Sequence, residues 1–466
     1  MCGGDLYFWR QAFILTTGLF YSASVGIMLA YPSVLSPALV SSNGTDIKAS
    51  SEQASWIAAS NGFAGLFGFF ILSPILQTFG RKIVHISCNL LLLIGWMIFP
   101  LANSIPLLYA ARIVQGLAIG GIYINSMIIC EYVDSKRRGY FLTLKKVSIA
   151  VGTLICHSMS LYWDWRQIAT FAIIPPTVAV ILTFFWPESP SFLAMKGRFE
   201  ECEESFIWLN GPTNLRELHH LQLSQMETVK PGHSEKHYKF LFRKEFIKPL
   251  VIVSLLTLLL DLCGRYYFVV YVIQIMVELI GDKTLAVYCT LGADCLTIVA
   301  LASSCFIISC FKRRAILFTF GSFTVSLMLL ICLLMILKSF GIGTNLFWLT
   351  PSLIILQNFV VNVSLIPVSF ALIGEVFPLE YKGTGSCISG VVFTLLYTLT
   401  LKLTPLLIDS IGVGGTYGVY GFSVCGCLVL LYFVVPETKD KTLQQIEDGI
   451  KGVKRAKCEF ETDTLL

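Results

Sequence analysis

A helix needs roughly 20 mainly apolar residues to cross the hydrocarbon core of a bilayer, and this chain meets that requirement repeatedly. Such runs extend from Trp9 to Tyr31 and from Ser55 to Phe79, then recur as far as Val435, about twelve in all. With 55% hydrophobic and only 14% charged residues, 466 residues could not cover a soluble surface. The expected fold class is therefore an all-α membrane protein with about twelve transmembrane helices. The first run sits where a secretory signal would, but no small-residue cleavage site stands out. It also carries Thr16, Thr17, Ser22 and Ser24, which suit a helix lining a polar cavity better than a signal core.

Charge placement orients these runs. Basic clusters follow alternate spans: Arg81-Lys82, Lys136-Arg137-Arg138, the segment 196–248, Lys312-Arg313-Arg314 and the tail after Lys439. The opposite loops carry little more than Lys48, Arg166, Lys283 and Lys338. The positive-inside rule then puts both termini and the long middle segment in the cytoplasm. The sequon Asn43-Gly44-Thr45 falls in the first outer loop, in agreement, and Asn43 is a candidate glycosylation site. A second sequon, Asn362-Val363-Ser364, lies inside a span, out of reach of glycosylation. Most of the 15 cysteines lie singly in spans and no CxxC pair occurs, which argues against a disulfide or metal framework.

The chain also repeats itself. Glu131 after the fourth span is followed by Arg138-Gly139, and Glu375 after the tenth is followed at the same spacing by Lys382-Gly383. Gly80-Arg81-Lys82 after the second span matches Lys312-Arg313-Arg314 after the eighth. "WPESPSFL" (186–193) after the sixth matches "VPETKDKTL" (435–443) after the twelfth. Internal correspondence of this kind marks a transporter built from two related six-helix bundles, with its site between them at mid-membrane. The expected organisation is an N-terminal bundle over 1–186, a cytoplasmic linker with short amphipathic helices over 187–247, a C-terminal bundle over 248–436 and a cytoplasmic tail over 437–466. Within the linker, the Glu-rich stretch 197–209 reads as an amphipathic helix and Pro231-Gly232 as a turn.

From about Trp56 to Glu447 these motifs resemble the sugar porter family of the major facilitator superfamily. The paired Pro-Glu-Ser-Pro and Pro-Glu-Thr elements carry most of the resemblance. "RIVQGLAIGG" (112–121) is similar to the family's fourth-helix pattern, whose glycines allow close helix approach. "GEVFPLEYKGTG" (374–385) and the Lys402-x-x-Pro405 spacing look like the insect trehalose-transporter branch. The resemblance implies the major facilitator fold and alternating access, with a small-molecule sugar as cargo. It also implies a cytoplasmic latch, remade in one state and hydrated in the other. On this sequence the latch falls on Glu131 with Arg138, Glu375 with Lys382, and Arg81 with Arg112 nearby. Lys82, Lys136 and Arg137 read as anchoring charge. Departures thin the latch: Gln77 and Ser309 stand where the family has an acid, Lys312 replaces a glycine, and Ser191 replaces an arginine.

The cargo site departs further. Carried over from the resemblance, the family's fifth-helix Gln falls on Lys146, its seventh-helix Gln pair on Leu260 and Asp261, and a later Asn on Tyr266. The tyrosine pair falls on Val270 and Tyr271, and the tenth-helix Trp falls on Phe370, with Pro367 kept. The candidate substrate-binding residues are thus Lys146, Asp261, Arg265, Tyr266, Tyr271, Thr297, Pro367 and Phe370. Asp261 and Arg265 stand at i and i+4, which predicts one face of one helix. An ionised residue there costs on the order of 2.5–3.5 kcal/mol on insertion scales unless water, substrate or a partner meets it. Lys146 should project from the opposite bundle into the same cluster, with Asp294 a further candidate. Either these charges neutralise each other across the bundle interface, or they meet substrate and rearrange during transport.

Proton-coupled members of the family place an acid two residues after a first-helix glycine, paired with the fourth-helix arginine. Here those positions are Gly26 and Met28, with Arg112 kept, so facilitated diffusion of trehalose or a hexose without proton coupling is the expectation. The alternatives are a carrier for a charged or glycosylated metabolite and a non-transporting sugar sensor. No phosphate loop, nucleophile triad or cofactor motif supports an enzyme. The remaining expectations are a plasma-membrane location, a monomer, the lipid bilayer but no nucleic acid as partner, and an acidic dileucine at Leu465-Leu466 of the kind used in sorting.

Overall fold

The computed structural model describes residues 3–41, 47–133, 137–212, 218, 244–341, 348–377 and 382–439. Asn43, residues 213–217 and 219–243 of the linker (Pro231-Gly232 among them) and the tail from 440 lie outside them. The described elements are helical: α1 (Gly3–Ala30), α2 (Pro32–Val40), α3 (Ser51–Thr78), α4 (Arg81–Leu101), α5 (Ile105–Leu117), α6 (Gly121–Tyr132), α7 (Arg138–Met159), α8 (Trp165–Phe171), α9 (Ile174–Thr183), α10 (Pro190–Met195), α11 (Phe199–Asn210), α12 (Lys244–Leu262), α13 (Tyr267–Ile280), α14 (Lys283–Cys310), α15 (Arg313–Ser339), α16 (Leu349–Val360), a π-helical turn (Val361–Leu365), α17 (Ile366–Val376) and α18 (Lys382–Val434).

Eleven helical runs among the described residues are long and apolar enough to span a membrane. The last contains Gly412 at φ 70° and ψ 174°, a left-handed break that only glycine adopts without strain, so this run turns back and makes two crossings. Twelve crossings result. Large apolar side chains such as Phe63, Phe70, Phe185, Phe422 and Phe433 are exposed on the outside of the bundle, as a lipid-facing surface requires. The helix read from the Glu-rich stretch is α11, whose Cys202, Phe206 and Leu209 are buried.

Small residues set how closely the helices approach. Gly26 of α1 lies against the Ile149 carbonyl of α7, and Gly152 of α7 lies against the Ala23 carbonyl of α1, so the two backbones touch at both points. Gly116 packs on the Asn61 backbone in the same way, which is the use expected of the fourth-span glycines. Between the halves, α3 packs along α18 and α7 along α14, and α2 reaches α13. These contacts carry the interface on which a candidate cargo site depends.

Candidate functional site

The seventh span is discontinuous. Helix α12 ends at Leu262, Gly264 takes φ 100°, and helix resumes at Tyr267. The break leaves the Cys263 carbonyl without a helical donor, and Gln357 Nε2 of α16 donates to it at 2.7 Å. Asp261 and Arg265 are therefore not stacked on one helix face, which corrects the i, i+4 expectation: the positive φ of Gly264 turns the chain between them. Asp261 is 1% exposed, and neither carboxylate oxygen has a hydrogen-bond partner. The Arg265 guanidinium lies 4.4 Å from the Tyr266 ring centre and 4.2 Å from that of Phe370. Lys146, from the other half, places its ammonium 5.2 Å from the same Phe370 ring. Two cations from opposite halves thus converge on one aromatic ring, whose negative face makes their approach tolerable.

An aromatic wall continues from there. Tyr266 packs edge-on against Tyr397 at 4.9 Å and tilted against Phe393 at 5.6 Å, and Phe393 in turn meets Tyr123 of the first half at 5.8 Å. Asn61 donates to the Tyr397 hydroxyl at 3.4 Å, again from half to half. Tyr271 and Thr297 are tied to backbone carbonyls and, for Thr297, to a neighbouring amide. Tyr271 donates its hydroxyl to the Leu401 carbonyl at 2.8 Å. Thr297 donates to Ala293 and accepts from Asn358 at 2.9 Å. Pro367, lacking an N–H, follows the π turn at the start of α17.

Asp294 does not join this cluster. Its Oδ2 is 2.6 Å from Nδ1 of His157, whose Nε2 is 3.0 Å from the Ser33 hydroxyl. His157, Tyr123, Phe393, Tyr397 and Gln357 are not among the residues expected from the sequence. A single aromatic or amide in an apolar run carries no spacing signal. His157 did carry one, since an ionisable group inside a span marks a site by default.

At the end of the bundle that carries the basic motifs, Arg81 grips Glu131 through two nitrogens, with Nε–Oε2 and Nη2–Oε1 both at 2.8 Å. Ser189 adds a hydrogen bond to Glu131 at 2.5 Å. Glu188 accepts from the backbone N–H groups of Arg81 and Lys82, placing a carboxylate on the N-terminus of α4. The second half repeats the arrangement: Glu437 accepts from the N–H groups of Arg313 and Arg314 at the start of α15, both at 3.2 Å. Glu188 and Glu437, the acids of the paired motifs, are thus helix-capping carboxylates. Lys82 donates to the Phe184 carbonyl at 3.0 Å. The side chains of Arg138, Glu375 and Lys382 lie outside the described residues.

Arg112 does not lie beside Arg81 and Glu131, which corrects that expectation. It is fully buried in α5, 19 residues before Glu131, or roughly 28 Å along the span at 1.5 Å per residue. Its guanidinium donates to the carbonyls of Met28 (3.1 Å), Ile57 (3.3 Å) and Ala58 (3.4 Å) and to Gln115 (3.3 Å).

Residues 12–449 match the family described as "Sugar (and other) transporter". The chain belongs to that family. It is 26% identical over 451 residues to the facilitated trehalose transporter Tret1 of Bombyx mori, covering 95% of this chain and 87% of that one. Against the Tret1 of Polypedilum vanderplanki it is 26% identical over 456 residues, covering 96% and 89%. Of the Drosophila virilis Tret1, 25% identical, it spans 49%. Its fold is that of the xylose transporter XylE from E. coli in a partially occluded inward-open conformation. The TM-score is 0.76 at 16% identity, covering 94% of this chain and 100% of XylE. The chain is a membrane transporter of the major facilitator fold.

Proposed function

We propose that this transporter carries a neutral sugar, trehalose or a hexose, down its gradient by rocking the bundles 1–186 and 248–436 about the site between them. The observation that carries the reading is Asp261: a buried carboxylate with both oxygens unpartnered, four residues from an arginine whose guanidinium lies over the Tyr266 and Phe370 rings. Sugars present hydroxyls that a carboxylate accepts from and a guanidinium donates to, and apolar ring faces that pack on aromatic side chains. The similarity to facilitated trehalose transporters supports the cargo. Uncoupled transport is supported by Arg112, whose donors are taken up by carbonyls, including that of Met28. In this reading both termini are cytoplasmic, the protein resides in the plasma membrane, and Arg81 with Glu131 forms the first-half latch.

The test is uptake of labelled trehalose and glucose by cells expressing the chain, against untransfected cells. Saturable uptake that is indifferent to a collapsed proton gradient is expected. No uptake with the protein at the cell surface overturns the reading. A second reading, an anionic sugar derivative as cargo, rests on the convergence of Lys146 and Arg265 over Phe370. It is separated from the first by competition with a sugar acid such as glucuronate.

A further inference from the structure

Helix α3 and the first leg of α18 come from different halves and pack antiparallel. Helix α3 starts at Ser51 and ends just before Arg81, whereas this leg of α18 runs the other way, from Lys382 to the turn at Gly412. Small residues keep the two in register. Gly62 lies against Tyr397 and Thr398 with no room for a methyl group, and further along Gly65 lies against Thr394 and Gly390 against Phe69. Asn61 adds its hydrogen bond to the Tyr397 hydroxyl.

One rung of this seam is charged. Lys402 Nζ donates to the Ser55 hydroxyl oxygen at 2.8 Å and lies 4.6 Å from the centre of the Trp56 ring. An ammonium only donates, so the direction of that bond is set whichever way the hydroxyl hydrogen points. Ser55 is buried at this contact. Among the described residues no carboxylate forms an ion pair with Lys402. Its charge meets a hydroxyl and an indole face, with Glu52 acting on it from the start of α3. Lys402 is five residues beyond Tyr397, roughly 7.5 Å further from the basic motifs than the aromatic wall of the candidate site.

Pro405 explains why the lysine can stand there. Proline offers no N–H to the carbonyl four residues back, which is that of Leu401. Tyr271 of α13 fills the gap, its hydroxyl donating to that carbonyl at 2.8 Å. The turn that carries Lys402 is thus held from α13, the half-helix that begins beside Tyr266. The Lys402-x-x-Pro405 spacing gains a physical meaning, and Tyr271 acts as a positioning residue for the lysine.

We propose that Lys402 of the second half, clasped by Ser55 and Trp56 of the first, is the latch that holds the outer end of the transporter shut over the cargo site. Arg81 and Glu131 at the opposite end join helices of one half, whereas this contact joins the two halves. Opening the outer end parts α3 from α18 and breaks the hydrogen bond and the ring contact together; closure remakes both. A lysine and a tryptophan near a membrane surface also serve as lipid anchors, but anchors act singly, so their substitutions add. The two sides of a clasp do not. The inference rests on the alternating-access part of the proposed function, and on its placing the end away from the basic motifs outside. It is independent of the cargo.

The test needs no sugar. Genetically encoded spin labels at Asn103 and Ser410, exposed at the outer ends of the first and second halves, report the separation of the halves in full-length protein in nanodiscs. The label avoids thiol chemistry because the chain has 15 cysteines. Lys402→Met keeps the length of the side chain and removes its charge. It should raise the ratio of long to short distances roughly tenfold or more, through loss of one charge-assisted hydrogen bond and one cation–π contact. Lys402→Arg should restore the short distance. Trp56→Leu should open the protein in the same direction and, combined with Lys402→Met, add less than its separate effect. Tyr271→Phe should shift the wild type the same way and add nothing in Lys402→Met, as a residue acting through the lysine requires. An unchanged ratio in Lys402→Met overturns the proposal. So does an opening that Lys402→Arg fails to reverse, or effects of Lys402→Met and Trp56→Leu that simply add. If Lys402→Met does not fold, Ser55→Ala and Trp56→Leu carry the test, and unchanged ratios in both overturn it. A distance shift in a chain that takes up no sugar supports the latch and counts only against the proposed cargo.

Discussion

Replacing Asp261 by asparagine should move stability and transport in opposite directions. The carboxylate is 1% exposed with two unpartnered oxygens, and its nearest cation in sequence, Arg265, is stacked on rings instead. An unsatisfied buried polar group costs on the order of 1–3 kcal/mol, more when it is charged. Asparagine keeps the shape and removes the charge, so the variant should unfold at higher temperature than the wild type. A sugar hydroxyl donating to a carboxylate is a charge-assisted hydrogen bond worth about 1.5–3 kcal/mol. Its loss should raise the KM for trehalose or glucose roughly tenfold to 150-fold, since 1.4 kcal/mol is about a factor of ten. The assays are the thermal unfolding midpoint of purified protein in detergent and the concentration dependence of labelled uptake in cells. A variant that is less stable and transports normally would falsify the reasoning, because Asp261 would then be holding the fold together and not meeting cargo.

Three further outcomes follow from named contacts. Lys146→Gln removes one of two like charges over Phe370; neutral-sugar uptake should persist or rise, whereas uptake of an anionic sugar, if that is the cargo, should be abolished. Glu188→Ala and Glu437→Ala each strip a carboxylate from backbone N–H groups at a helix start. Each should destabilise by about 1–2 kcal/mol, read as a lower unfolding temperature, and unchanged midpoints in both would contradict the capping role. Gly26→Val sets a branched side chain against the Ile149 carbonyl and should abolish monodisperse expression on size-exclusion chromatography, whereas Gly139→Ala, with open space around it, should express normally.

The twelve crossings, the repeated halves and the acid Glu131 that meets Arg81 were legible because each is a local property: the length of an apolar run, a spacing, a charge after a span. The pairing of Glu188 with the start of α4 and of Glu437 with the start of α15 followed the same repeat. The charged residues inside the membrane were legible as residues but not as pairs. Asp261 and Arg265 read as one helix face until Gly264 broke the helix between them. Asp294 read as part of their cluster and instead meets His157. Arg112 read as a neighbour of Arg81 and lies near the other end of its span.

By itself, then, the sequence determined that this chain is a two-fold repeated, twelve-crossing membrane transporter, because hydrophobic length and internal repetition need no knowledge of which helix lies beside which. Only the tertiary structure decided the partners of its buried charges. In an apolar span the low dielectric makes any charge seek a partner, but which one it finds depends on helix rotation, on breaks such as those at Gly264 and Pro32, and on contact between distant spans. Those are properties of the packed bundle, and the convergence of Lys146 with Arg265 and of His157 with Asp294 exists only there.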